Sequence, residues 1–315
     1  MNRYSDRELE LTDNEGDYKT FKSSKFSKRH RFNKPSHRSP SKSRSRDDTD
    51  AEQDDFEYND DPEELVYVKE FNMNDMLPRT VEDKGTKIVV IGKPGSGKSS
   101  LIQDIVAHKA HIIPVSQVFS GTEESNHFYS EKMPPITIFN KLDMTAVKNF
   151  VERQDQAKKY LKNPWALQII DDCTDNPKIL KDPVFQAYYK NGRHWKMLHI
   201  LSLQYCLDIS PAIRTCIDYT FILKEGSKIT REKLWKNYGS CIEDFADFCQ
   251  LMDQLTNDFT ALVINNRSTS NKLEDCVFYY KADLSRIPIN WKFGAGSFWQ
   301  YNHDRLNPNF VESFY

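Results

Sequence analysis

The sequence predicts an α/β fold with a mainly parallel central sheet flanked by helices, on three observations. Short apolar, β-branched runs alternate with stretches of helical period between Lys87 and Tyr280. The run Ile88-Val89-Val90-Ile91 passes directly into a glycine-rich turn, Gly92 to Ser99, and then into an apolar-periodic stretch, Ser100 to Ala107. A second apolar run, Trp165 to Ile170, ends in paired carboxylates, Asp171-Asp172.

Composition divides the chain before any element is assigned. Of 315 residues only 38% are hydrophobic, so part of the length is expected to stay out of the core. Between Lys19 and Arg46 stand eleven basic residues and no acid; Asp47 to Glu64 then holds eleven acids and no base. Such blocks bury too little apolar surface to offset chain entropy. Residues 1–64 therefore read as a disordered tail without helical or strand period, basic and then acidic. Its basic block suits an acidic surface or nucleic acid, or serves only to solubilise. Residues 65–288 read as the folded domain and 289–315 as a C-terminal aromatic tail. No stretch approaches the roughly 20 apolar residues of a membrane span, and no signal-peptide core opens the chain, so a cytosolic compartment is expected. The six cysteines never form C-x-x-C and are expected as reduced thiols.

Within the folded domain the elements follow in order. Leu65-Val66-Tyr67-Val68 suits a short strand, Phe71 to Leu77 a connection, and Lys87 to Ile91 a core strand. After the first helix, Ile112 to Phe119 reads as a strand, Gly121 to Pro135 as a polar loop and Ile136 to Phe139 as a third strand. Met144, Val147, Phe150, Val151, Ala157 and Leu161 recur at helical spacing, predicting a helix over Asp143 to Leu161 with Asp143 near its start. Buried strands are expected at Trp165 to Ile170, Met197 to Leu203 and Tyr219 to Leu223. Amphipathic helices follow at Ile229 to Tyr238 and Ile242 to Leu255, and late strands at Phe259 to Ile264 and Val277 to Tyr280.

The glycine-rich turn carries the strongest chemical signal. Gly92-Lys93-Pro94-Gly95-Ser96-Gly97-Lys98-Ser99 satisfies G-x-x-x-x-G-K-S/T in the strand-loop-helix setting that this phosphate-binding loop requires. Its glycines let successive N–H groups point into one concavity at a helix N-terminus, where a β-phosphate binds. Lys98 adds positive charge to the β- and γ-phosphates, Ser99 supplies a hydroxyl ligand for Mg²⁺, and Ser100 continues the cradle into the helix. A nucleoside triphosphate site follows.

The acid-ended strand supplies the second half of that chemistry. Carboxylates at the C-terminal edge of a parallel sheet lie where such folds bind ligands. Asp171 is expected to hold Mg²⁺ through water and Asp172 to activate the attacking water as general base; as an acidic pair they would otherwise cap a helix starting near Pro177. Gln204, at the tip of the Met197 to Leu203 strand, is placed to hydrogen-bond the γ-phosphate or the lytic water. Arg193, in Gly192-Arg193-His194-Trp195, and Arg214 are each candidates for transition-state charge, in cis or from a neighbouring subunit. Asn140-Lys141-Leu142-Asp143 spells the N-K-x-D by which GTPases read guanine, but no D-x-x-G follows the phosphate loop, and a strand end with a helix cap accounts for it.

Taken together, several motifs in order resemble the genome-packaging ATPases of large nucleocytoplasmic DNA viruses. They are Gly92 to Ser99, Ile170-Asp171-Asp172-Cys173, Gly192-Arg193-His194, Leu201-Ser202-Leu203-Gln204-Tyr205, Ile213-Arg214 before Asp218-Tyr219, and Phe259 to Asn266. That family belongs to the FtsK/HerA class of ring-forming DNA pumps, with a RecA-like P-loop core. The resemblance spans about Lys87 to Lys281. It implies ATP and Mg²⁺ as cofactors, hydrolysis by the residues matching Lys98, Ser99, Asp171, Asp172 and Gln204, and a homo-oligomeric ring that moves double-stranded DNA into a capsid. Capsid or portal-vertex partners and a location in the virion and the host-cell cytoplasm are implied with it. The Asp-Asp pair, where FtsK and HerA members generally carry Asp-Glu, resembles the viral branch; the charged tail has no counterpart that can be aligned.

Other classes fit less well. A helicase or other DNA-transport ATPase would share the same catalytic residues, and a scaffold could keep the loop for nucleotide-dependent assembly. A small-molecule kinase would need an arginine-rich lid between Lys98 and Asp171, and an ABC-type ATPase would need L-S-G-G-Q; neither is present. From Ile289 onward, Gly294, Gly296, Trp299, Tyr301 and Phe310 read as a polar, weakly periodic tail whose aromatics dock on a neighbouring subunit or the capsid.

Overall fold

The computed structural model describes residues 18–22, 65–173 and 177–306. Strands β1, Tyr18–Lys22, and β2, Leu65–Lys69, pair antiparallel as a small ribbon. The strands that follow are β3 Thr86–Ile91, β4 Val115–Ser120, β5 Ile138–Phe139, β6 Ala166–Asp171, β7 Met197–Leu203, β8 Tyr219–Ile222, β9 Thr260–Asn265 and β10 Val277–Lys281. They form one eight-stranded sheet in the order β10-β9-β8-β3-β7-β6-β4-β5. β8, β3, β7, β6, β4 and β5 are mutually parallel; at one side β9 pairs antiparallel with β8, and β10 antiparallel with β9.

Helices cover both faces of this sheet, which is why β3, β6 and β7 are mainly apolar and buried at every residue. Alternate residues of β3 divide between two cores. Ile88 and Val90 pack with Leu101, Ile102 and Ile105 of the helix Lys98–Lys109. Val89 and Ile91 belong to the opposite core, with Phe150, Phe185, Phe248 and Leu251 from the helices Met144–Tyr160, Pro183–Asn191 and Phe245–Leu255. The three-layer α/β class is the one that the alternation of runs predicts.

Several boundaries move, each for a local reason. β4 begins at Val115 rather than Ile112: the Ile112 and Ile113 amides are taken by Lys109 carbonyl, closing the preceding helix, and Pro114 has no N–H to give a ladder. β5 shrinks to two residues because Pro134 and Pro135 start a 3₁₀ turn, Pro135–Thr137. Asp143 caps the following helix by accepting from the Thr145 N–H at 2.8 Å. The N-K-x-D tetrapeptide thus lies beyond β5, four strands from β3 or about 19 Å, and Asn140 donates to Glu124 instead of facing the phosphate loop.

Two terminal expectations are corrected. The segment read as lacking strand period contains β1, made a strand by its pairing with β2, and Lys19 Nζ sits 4.4 Å above the Tyr279 ring. The rest of the basic block and the whole of the acidic block lie outside the described residues. At the other end, the stretch read as a polar tail folds back on its own domain. Phe293 is fully buried, the Ala295 N–H donates to Pro114 carbonyl, and a helix, Gly296–Leu306, follows. Phe298 and Asn302, one turn apart, face inward, and Asn302 Oδ1 accepts from the Ile136 N–H at 2.9 Å. A single apolar residue per turn is too weak a period to read from sequence. Trp299 donates to Phe293 carbonyl, Tyr301 remains exposed, and Phe310 lies outside the described residues.

Candidate nucleotide site

The site is built where β3 ends. Ile91 leaves the sheet, the Gly92 N–H donates to Leu203 carbonyl at 3.1 Å, and the loop turns back into the helix Lys98–Lys109. Gly95 and Gly97 hold φ of +75° and +98°, in the left-handed region that side chains resist. Ser96 Oγ donates to Lys93 carbonyl at 2.7 Å and braces the turn, while Pro94 stays exposed at its crest. Lys98 is buried, with Nζ donating to Gly92 carbonyl at 2.9 Å and Lys93 carbonyl at 3.3 Å. The ammonium thus lies inside the loop, where a bound phosphate would meet it. Ser99 and Ser100 are half-buried in the first helical turn.

The acid pair arrives from two strands away. In register, Asp171 lies beside Ser202 of β7 and Ser120 of β4, at the same edge as the phosphate loop. Asp172 Oδ1 is 3.8 Å from Lys98 Nζ, joining the two motifs into one site. Asp172 itself takes a left-handed φ of 49°, and Gly121 makes room for it: a Cβ there would stand 2.8 Å from Asp172 carbonyl oxygen. Burial pushes the Asp171 carboxyl pKa up, opposed by the Tyr129 hydroxyl that donates to it.

A divalent cation fits this donor set. Tyr129 donates to Asp171 Oδ2 at 2.8 Å, while Asp171 Oδ1 and Ser202 Oγ are buried with no hydrogen-bond partner. A buried carboxylate oxygen left unpaired is costly unless water or a cation completes it. Ser99, opposite on the helix, is the second oxygen that such an ion would use.

The remaining expected residues lie in two places. Gln204 follows Leu203, whose carbonyl receives the Gly92 N–H, and is exposed beside the loop. Arg193 and Arg214 line a separate cleft of about 500 Å³ together with Lys236 and Asn266. Arg193 Nη2 donates to the buried Asp218 at 2.6 Å; Asp218 also receives Arg267 Nη1 at 3.1 Å and the Lys87 N–H at 2.9 Å. Lys87 and Asp218 stand at the starts of β3 and β8, so Arg193 and Arg267 are at the opposite edge of the sheet, about 16 Å or more from the loop. Arg214 donates to Ile209 carbonyl at 2.6 Å.

Two site residues escape sequence reasoning. Tyr129 sits in the stretch read as a polar loop, positioned because the buried Glu123 carboxylate accepts from the Tyr129 and Ser130 N–H groups at 3.1 and 2.8 Å. Its only advance signal was an aromatic residue in a polar segment. Glu225, beyond β8, accepts from Lys93 Nζ and the Ser227 N–H, each at 2.7 Å, and anchors the loop from the other side. Nothing near it in sequence marks that role.

With this geometry in hand, the comparisons with known proteins define first a class and then a family. Residues 69–287 match the family described as Poxvirus A32 protein. An uncharacterized protein, 088R, of Invertebrate iridescent virus 3 is 45% identical over 71% of this chain and 87% of its own length. Protein 015R of Frog virus 3 is 36% identical over 76% of this chain and 75% of its own, and it too is uncharacterized. The structure of the genome packaging NTPase B204 from Sulfolobus turreted icosahedral virus 2 aligns over 64% of this chain and 98% of that one, at 18% identity and a TM-score of 0.48. The match is a distant one, and the assignment rests on the family and the viral relatives. The class is that of the packaging ATPases of large DNA viruses that the motifs resemble, and the chain belongs to the Poxvirus A32 protein family.

Proposed function

We propose that this protein is an ATP-hydrolysing motor that drives double-stranded viral DNA into the capsid during virion assembly. The observation that carries the reading is the meeting of Lys98 and Asp172 at 3.8 Å, beside an Asp171 oxygen left free for a cation. In this reading the loop amides and Lys98 hold the β- and γ-phosphates. Asp172 orients the attacking water and takes its proton, and Gln204 hydrogen-bonds that water or the γ-phosphate. Mg²⁺, held by Ser99 and through water by Asp171, supplies charge neutralisation on the phosphates when bound.

The distant Arg193 brings the ring into the account. Phosphoryl transfer gains about 10³ to 10⁵ in rate from an added arginine. Arg193, held by Asp218 at the far edge of the sheet, is too far from the loop of its own chain, so its use requires the neighbouring subunit's site; Arg214 is a candidate in cis or from a neighbour. Hydrolysis then moves elements of the ring against the DNA backbone, with capsid or portal-vertex proteins as the fixed partner and the assembly site in virion and host cytoplasm as the setting. Contact through phosphates makes DNA affinity fall steeply with salt and alike for unrelated duplexes. Titrating the full chain with two unrelated duplexes at rising salt tests this; strong preference for one sequence would contradict a packaging motor.

A further inference from the structure

The phosphate end of the site is assigned by Lys98, Asp171 and Asp172, which leaves the question of where the rest of a nucleotide lies. Asp171 and Gln204 come from β6 and β7, on one side of β3. A nucleotide whose γ-phosphate points to that side extends its nucleoside toward the other, over β8 and β9. There, at the start of β9, stands Phe259.

Phe259 has three features that its place in the fold does not require. It is 65% exposed, although burying such a ring is worth about 2 kcal/mol. Its ring borders the phosphate loop: a Cβ on Gly97 would come within 3.1 Å of Phe259 Cδ1. Its backbone is left-handed, with φ of 59°, directly after Asp258 at 53°. Two successive non-glycine residues in that region are unfavourable, and a bulky one is a true outlier. The turn between the helix Phe245–Leu255 and β9 would accept glycine there, and no core contact needs phenylalanine.

The surroundings hold this conformation in place. Asp258 pairs with Lys281 of β10, the Thr260 N–H donates to Asn257 carbonyl at 3.1 Å, and Asn257 donates to Asp253 carbonyl at 2.6 Å. Lys224 Nζ reaches Asn257 Oδ1 at 3.1 Å from the end of β8. Strained backbone of this kind persists where the surrounding structure over-determines it, and it concentrates at ligand sites.

We propose that Phe259 is the stacking platform for the base of the bound nucleotide. The inference rests on reading Gly92 to Ser99 as a nucleotide site and adds to it the residue that engages the base. A flat aromatic face offers area and no hydrogen-bond code, so it recognises a planar heterocycle by stacking.

The test is equilibrium titration of the full chain with MgADP and, separately, with inorganic pyrophosphate, which carries the phosphates and no base. Phe259→Ala is expected to weaken MgADP by about tenfold and to leave pyrophosphate unchanged, with Phe259→Trp restoring ADP affinity. Phe259→Gly is expected to lose ADP affinity in the same way while raising the thermal midpoint, because it relieves the left-handed residue. Equal weakening of both ligands, or an unchanged ADP affinity, in protein whose wild type binds both would overturn the stacking role and leave the phosphate site standing. Failure of the wild type to bind either ligand would overturn the nucleotide site and the stacking role together.

Discussion

Tyr129 donates its hydroxyl to Asp171 Oδ2 at 2.8 Å, and both side chains are almost wholly buried. The phenol satisfies one carboxylate oxygen and leaves the other to the site. Burial raises the Asp171 pKa. With the folded pKa above the unfolded one, the native state binds the proton more readily, so this group's contribution to stability is greatest at low pH and is lost as pH rises through the shifted value. Asp171→Asn removes that penalty. It is expected to raise the thermal midpoint at pH 7.5 while lowering hydrolysis by about 10² or more; a lower midpoint with activity retained would contradict the assignment.

Removing the phenol acts in the same direction on the acid itself. Tyr129→Phe takes away a hydrogen bond that favours the carboxylate, so the Asp171 pKa climbs further. The acid limb of the hydrolysis profile is expected to move to higher pH, with the loss greater at pH 6 than at pH 8. Profiles of the two proteins that superimpose would show that Tyr129 does not tune the acid.

Gly121 is expected to be intolerant of any side chain. A Cβ at 2.8 Å from Asp172 carbonyl oxygen meets backbone, which cannot rotate away. Gly121→Ala should cost about 2 kcal/mol in denaturant unfolding, within the usual range for overpacking, and displace Asp172 from Lys98. Unaltered stability and activity would mean that the strand end has more room than this contact implies.

His199 gives an acid-stability prediction independent of catalysis. It lies fully buried in a row of polar residues that crosses the sheet in register, Lys87 of β3, His199 of β7, Gln168 of β6 and Gln117 of β4. Burial, with Lys87 beside it, pushes its pKa down to about 3 from 6.5. Between those values the unfolded chain binds a proton that the native state refuses, so stability drops as pH falls from 6.5 toward 3. One such proton contributes up to about 1.4 kcal/mol per pH unit. His199→Gln should flatten that slope in denaturant titrations from pH 6.5 to 4.5; an unchanged slope would assign it elsewhere.

The arginines are open to a mixing experiment. Lys98→Ala subunits keep Arg193, and Arg193→Ala subunits keep the phosphate loop, so an interface between the two carries one complete set of groups. Mixed protein is expected to hydrolyse ATP faster than either variant alone, and the same design with Arg214 identifies which guanidinium acts. Mixtures as slow as the separate variants would rule out action across the interface.

How much of this was legible in the sequence differs from residue to residue. The phosphate loop and Asp171-Asp172 were readable because each is contiguous and each follows an apolar run whose burial is almost forced. The position of Gln204, just past the end of β7, was readable from the end of such a run. Tyr129, Glu225 and Phe259 were not, since each reaches the loop through tertiary folding across tens of residues of chain. Arg193 was found as a residue, but the edge of the sheet on which it stands depends on register. β1 and the helix Gly296–Leu306 escaped because pairing and docking, not periodicity, stabilise them.

The central claim, a motor whose hydrolysis is coupled to DNA through Asp172, is tested most directly by steady-state ATP hydrolysis with and without double-stranded DNA. The proteins to compare are the wild type, Lys98→Ala and Asp172→Asn; asparagine suits the left-handed position as well as aspartate does. Stimulation by duplex DNA in the wild type, lost in both variants, is the expected result. Hydrolysis indifferent to DNA, or undiminished in Asp172→Asn, would contradict it.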